Sequence, residues 1–236
     1  MASSSSLMID AMGVNSDKIP RSTPYVQAYV TGIDGVPWNQ SQVASFSQSI
    51  VFRMAQNGGP APDPRSYHGL DVENLAYTPQ EAAQQVDVRV KLGIPWTTIY
   101  GGDAALAATS AAVQAYGSGI WIGHVNCILA DWDLNLEEAT ARIGSFIHGM
   151  TCVGVQWASP SSNPNTKVPG SDLTLSQANC DLNAVDPNWR PDIWNVLPPP
   201  PPPPPPTFNG LLVTVDSSGL FKATQVVSTD DLNWHG

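Results

Sequence analysis

The sequence predicts an α/β fold, a (β/α) TIM-like barrel that is either complete or short of one unit. Three observations carry this. Short runs rich in β-branched and aromatic residues alternate with helix signals of about a dozen residues, the pattern of β/α units around a parallel sheet. Seven strands are visible, which favours a closed barrel over an open sheet. Acids and amides fall at or near the ends of several of these strands, where side chains of such a barrel converge on one face. No G-x-G-x-x-G or P-loop follows any strand, so a nucleotide-binding sheet loses its usual support.

Residues 1–22 are Ser-rich without an apolar period and read as a flexible arm. Tyr25 to Asp34, YVQAYVTGID, reads as the first strand, running into Gly35, Val36 and Pro37. Ser49 to Asn57 is the second, closed by the breaker run GGPAPDP. YHGLDVEN is the third. Thr78, Pro79 and Glu81 then supply an N-cap, a proline at the first helical position and the third residue of a capping box, with Gly93 as the stop. Ile94 to Tyr100 is the fourth strand, and Asp103 caps the Ala-rich helix that runs to Gly117. Ile120 to Asn126 is the fifth, followed by the loop CILADWDLN and a helix from cap Asn135, with Glu138 three residues on, to His148 and Gly149. Val153 to Ser159 and a short run around Asn179 to Ala184 complete the set.

The stretch GLDVEN places Asp71 and Glu73 two apart, so in an extended strand they share a face about 6 to 7 Å apart. Like charges this close disfavour joint ionisation, and the group that keeps its proton can act as a general acid. A solvated strand end is the plain alternative. Asp34, His124, Asn126, Gln156, Trp157, Asp181 and Asn183 fall near other strand ends. Trp38, Trp121, Trp132 and Trp157 offer wide apolar faces that suit sugar rings, with burial in the core as the alternative for each. His124 is a donor candidate or a satisfied structural group, and Asp131 and Asp133 read as a solvated turn.

Composition narrows the chemistry. A net charge of −10 with ten scattered Lys and Arg excludes the basic footprint of a nucleic-acid partner and suits an uncharged or peptidoglycan-like ligand. No stretch reaches the eighteen or so apolar residues of a membrane span. MASSSSLMIDAMG has neither a basic n-region nor an apolar h-region, which predicts synthesis in a host cytoplasm without a signal peptide. Cys127, Cys152 and Cys180 form no C-x-x-C pair and read as small buried residues, so no metal or cofactor is implied.

Taken in order, GID at 32–34, LDVE at 70–73, IYGG at 99–102, WIGHVN at 121–126, VQWAS at 155–159 and CDLN at 180–183 resemble glycoside hydrolase family 25, the lysozyme-type muramidases. The resemblance implies a (β/α) barrel at residues 23–197 that cleaves the β-1,4 bond after N-acetylmuramic acid in bacterial cell-wall glycan. It makes Glu73 the general acid, Asp71 the group that orients or stabilises the acetamido group or intermediate, and Asp34 and Asp181 the acids that shape the field and hold the sugar. Tyr100, within IYGG, joins Trp38, His124, Asn126, Gln156, Trp157 and Asn183 as substrate-binding candidates. Only 37 positions separate Asp34 from Asp71, fewer than the family shows, which implies a lost β/α unit.

Residues 198–206 are nine consecutive prolines, a polyproline II rod about 28 Å long. Beyond it, residues 207–236 read as a β-hairpin too small to hold a core alone. A hydrolase-like domain on a stiff spacer with an attachment segment suggests a phage virion protein, bound through 198–236 to other virion proteins or to copies of itself. Two function classes follow: a muramidase, or a catalytically inactive structural or glycan-binding tail or capsid-surface protein.

Overall fold

Five of the six residues of Ser6–Ala11 are Ser or apolar and one is an aspartate, and they form the strand β1 that the rest of the sheet closes around. The computed structural model describes residues 5–32, 36–56, 62–73, 77–116, 122–193 and the backbone of 210–215 and 221–226. The chain divides into two units, Met1–Val196 and Leu197–Gly236.

In the first unit β1 is followed by a 3-10 helix at Gly13–Lys18, then by β2 (Tyr25–Tyr29), α1 (Gln40–Ala44), β3 (Ile50–Ala55), β4 (Gly69–Asp71) and α2 (Pro79–Lys91). Next come β5 (Thr97–Gly101), α3 (Asp103–Ala115), β6 (Val125–Ala130), α4 (Leu136–Arg142), β7 (Phe146–Ile147), β8 (Met150–Ala158), α5 (Leu175–Ala178) and β9 (Cys180–Val185). Strands β1 to β6 and β8 pair in parallel in that order, and β9 lies antiparallel between β8 and β1. The result is a closed eight-stranded barrel in a mixed α/β chain. In the second unit β10 (Gly210–Val215) and β11 (Phe221–Val226) form an antiparallel pair. No helix among the described residues is long and apolar enough to cross a membrane.

Alternation along the strands divides the core in two. Met8, Phe52, Met54, Tyr100 and Ile128 pack together inside the barrel. Trp189, just past the end of β9, stacks on Tyr25 at 6.3 Å and packs at a tilt of 51° on Phe52 at 4.8 Å between centroids, and so plugs the end at which the parallel strands begin. On the outer face Leu70, Ile99, Cys127 and Val155 meet Ala82, Val86, Leu106 and Val113 of α2 and α3. Gly69 is glycine because the interior is full. A Cβ there would lie 2.5 Å from Phe52 Cζ and 2.9 Å from the Thr98 carbonyl. Gly69→Ala is therefore expected to cost about 1 to 3 kcal/mol of unfolding free energy in urea titration.

Capping is where local sequence and structure agree most closely. Thr78 with Glu81 and Asn135 with Glu138 both form full capping boxes. Asp103, however, is not a cap: Gly102 holds that position and Asp103 sits in the first turn, bonded to His148 Nε2 at 2.9 Å.

Four expectations are corrected. The flexible arm 1–22 contains β1 and the 3-10 helix, with Met8, Ile9, Ala11 and Ile19 buried; averaging over its serines hides a five-residue apolar run. The fifth strand is Val125–Ala130, all six residues buried, so the first four residues of CILADWDLN are the second half of a strand and not a loop. The helix from Asn135 stops at Arg142, because β7 follows and turns through His148, at φ 48°, and Gly149 into β8. Lastly, the regular strand–helix repeat fails at β8 and β9, which run antiparallel, and between β3 and β4, where the described residues contain no helix.

Candidate active site

The carboxyls of Asp10, Asp71, Glu73 and Asp181 gather where the parallel strands end and β9 begins. Asp10 and Asp181 are direct cross-strand partners of β1 and β9, which sets their Cβ atoms about 5 Å apart. Asp10 is buried, and its Oδ2 accepts from Gln27 Nε2 at 2.6 Å and from the Tyr29 hydroxyl at 3.1 Å. Its Oδ1 has no partner among the described residues. Burial first, then the charge of Asp181, raises the Asp10 pKa well above the carboxylate range, against the Tyr29 hydrogen bond. Two facing carboxylates cannot both ionise cheaply, so the pair tends to hold one proton in common.

Asp181 is the other half of that pair. Its own pKa rises to about 7 through burial, opposed by the hydrogen bond from Gln156 and reinforced by the charge of Glu73. Asp71, at the end of β4, accepts from Gln56 Nε2 at 2.6 Å and from the Glu73 backbone N–H at 2.8 Å. Burial nonetheless lifts it to about 6. Glu73 lies just past the strand, half-buried, its pKa raised by burial and by Asp71, while the Tyr100 hydroxyl and the Gly102 N–H favour its ionised form. Gly101 is tight against the neighbouring Val72: a Cβ there would sit 2.9 Å from Val72 Cγ2, while Glu73 Cγ would be at an ordinary 3.7 Å. The Tyr100 hydroxyl also donates to Gln156 Oε1, so β5 and β8 are tied across the interior.

A cleft of about 280 Å³ is lined by Asp10, Met12, Tyr29, Gln56, Asn179 and Asp181, so two of the four acids line it and Asp71 and Glu73 do not. Larger pockets of about 370 and 430 Å³ lie elsewhere and contain none of the four acids. Among the described residues no group of three His, Cys, Asp or Glu is placed to hold a metal ion.

The raised values couple the site to stability. Asp10, Asp71 and Asp181 bind protons more tightly folded than unfolded, so the stability they lend is fully present below the unfolded value near 4. It is lost as pH rises through about 6 and 7. The melting temperature is expected to fall from pH 5 to pH 8. Asp10→Asn keeps an acceptor for Gln27 and Tyr29 but removes the shared titration, and should flatten that fall. A steeper fall in the variant would contradict it.

The sequence-derived candidates divide. Asp71, Glu73, Asp181, Tyr100 and Gln156 come together. Asp34 and Trp121 lie outside the described residues, and the acid that faces Asp181 is Asp10, from the supposed arm. Asn126 and Asn183 are buried inside the barrel, each two residues further from the mouth than Ile128 and Asp181, and do not line the cleft. Asn183 Nδ2 and Oδ1 and Asn126 Oδ1 have no hydrogen-bond partners among the described residues. His124 precedes β6 and lies at the end opposite the acids, its Nδ1 3.0 Å from the Pro95 carbonyl. Trp38 is core: its Nε1 donates to the Ala11 carbonyl at 2.7 Å and its ring packs on Phe46 at 5.3 Å. Trp157 is half-buried against both outer clusters and is not part of the cleft lining. Trp132 is 43% exposed, and Asp131 accepts from the Asp133 N–H in a turn, as expected of that loop.

Sequence reasoning missed Asp10, Gln27, Tyr29 and Gln56. A signal existed: one acid inside the apolar run LMIDA, and Gln27 and Tyr29 at alternate positions of a buried strand. No family model, curated protein or solved structure matches the chain.

Proposed function

We propose that the first unit is a muramidase-like glycoside hydrolase acting on β-1,4 bonds of bacterial cell-wall glycan, on a (β/α) barrel of the TIM type. The observation that carries this is the gathering of Asp10, Asp71, Glu73 and Asp181 at one mouth, with pKa values pushed upward to different extents. Glycoside hydrolysis needs one protonated and one ionised carboxyl across the scissile bond, and separate environments are what divide them. Glu73, the most accessible of the raised acids on its strand end, protonates the leaving oxygen. Asp71 is held by two hydrogen bonds and keeps a fixed orientation, so it serves to position the acetamido group or the cationic intermediate. Asp10 and Asp181 set the field and bind sugar hydroxyls, with Gln56 as a donor at the wall.

The test is product analysis. Purified peptidoglycan incubated with the full chain should release new reducing ends at muramic acid; reducing ends at glucosamine, or none, would overturn the assignment. The modest cleft, with volume for about one sugar ring, favours a second reading as a glycan-binding module without cleavage, which pull-down by wall material without product would support. The nine prolines and the β10–β11 pair support mounting of this domain on a phage virion through 198–236. Sedimentation of the full chain beside residues 1–196 tests that: equal monomeric values and no particle binding would remove it.

A further inference from the structure

The flank of β3 carries a second, unrelated site. Between β3 and β4 the described residues supply no covering helix, and a pocket of about 430 Å³ is left there, walled on one side by Val43, Phe46 and Val51. Its polar lining includes Arg53, Arg65, His68 and Asp192. His68 Nδ1 accepts the Arg53 backbone N–H at 3.0 Å, so the neutral ring carries its proton on Nε2 and is a donor there. The ring is buried beside Phe52, and burial together with the charges of Arg53 and Arg89 keeps it neutral.

Acceptors are scarce. Asp192 is engaged by Arg190, with Nε to Oδ1 at 2.9 Å and Nη2 to Oδ2 at 2.7 Å. The Asp63 carboxylate accepts the backbone N–H of Arg65, at 3.0 Å, and among the described residues no side-chain guanidinium pairs with it. No ion pair among the described residues involves Arg53 or Arg65, and Arg65 Nε is buried without an acceptor. In a chain of net charge −10, two guanidinium groups in one pocket lining, neither with an ion-pair partner among the described residues, are an unusual concentration of positive charge. Each is a planar fork of donors suited to oxyanions.

We propose that this pocket binds the phosphate of a small phosphate monoester, with Arg53 and Arg65 on its oxygens, the His68 Nε2–H as a third donor, and the carbon part of the ester against Phe46 and Val51. A carboxylate offers two oxygens in one plane and would be served by a single guanidinium. Two guanidinium forks and a ring N–H offer more donors than two coplanar oxygens can take, and suit the three terminal oxygens of a phosphate monoester. None of the lining is shared with the acidic cleft, so the proposal stands apart from the glycan reading.

The experiment is calorimetric titration of the full chain in a phosphate-free buffer at low salt, with phenyl phosphate, inorganic phosphate and benzoate as probes. Phenyl phosphate should bind saturably at one site, more tightly than either other probe, and should shift the His68 Nε2 resonance. Arg53→Gln and Arg65→Gln should each weaken it about tenfold or more. Arg53→Lys should restore part of the loss, and the charge-matched Arg142→Gln should change nothing. Unchanged melting temperatures establish that the variants fold. Benzoate binding as tightly as phenyl phosphate, a non-saturable response, or an equal loss in Arg142→Gln would each overturn the proposal. Glu73→Gln leaves binding intact in every case, so failure here is distinct from failure of the hydrolase assignment.

Discussion

Replacing Glu73 by glutamine is expected to lower the rate of wall-glycan cleavage by about three orders of magnitude, the range lost when a general acid is removed. Glutamine retains an oxygen to accept from the Tyr100 hydroxyl and the Gly102 N–H, the two groups that hold Glu73, so the fold and the melting temperature should change little. What disappears is the transferable proton. The variant also removes a negative charge that raises Asp181, so Asp181 should titrate lower than in the parent chain, which carbon-13 carboxyl spectra can read. Turbidity loss of purified walls supplies the rate. A residual rate within tenfold of the parent would move the acid role elsewhere, and Asp181→Asn and Asp71→Asn in the same assay would then show where.

Much of this site was legible because alternation in a strand is a two-residue rule. Asp71 and Glu73 announce themselves by spacing, and Gln156 and Asp181 by their place in apolar runs. Helix starts were legible for the same local reason: Thr78 and Asn135 satisfy backbone donors within three residues of themselves. Asp10 was hidden because β1 is only six residues long and follows a serine tract, so its context was set by contacts with Tyr25–Tyr29 and Cys180–Val185 far along the chain. Asn126 and His124 were misplaced for a related reason. An apolar run such as IWIGHVNCILA fixes that a strand exists but not where its register begins, and a shift of a few residues sends a side chain from the mouth to the floor. The antiparallel turn of β9 is likewise a long-range result, invisible to any local pattern, and it is this reversal that brings Asp181 opposite Asp10.

The largest expected loss of stability comes from Arg89→Ala. Arg89 is fully buried on α2 and makes no ion pair among the described residues; its charge is met by backbone dipoles instead. Nε donates to Thr97 Oγ1 at 2.9 Å, Nη1 to the carbonyls of Tyr67 at 2.6 Å and Pro64, and Nη2 to the Trp96 carbonyl at 3.0 Å. The guanidinium also lies 4.6 Å above the Tyr67 ring. Burial lowers its pKa only to about 10, so it stays charged at neutral pH. One side chain thus joins the segment before β4, the start of β5 and the helix between them. Alanine leaves three carbonyls without their donor and opens a void, and the cost should be about 3 to 5 kcal/mol. For a chain of this size that lowers the melting temperature by on the order of 10 °C. Arg89→Lys should recover only part, because an ammonium has three donors and no planar fork to reach carbonyls on two sides. Calorimetry on the three chains checks the order arginine, lysine, alanine. If lysine matched arginine, the carbonyls would be satisfied by charge alone and the fork would be incidental.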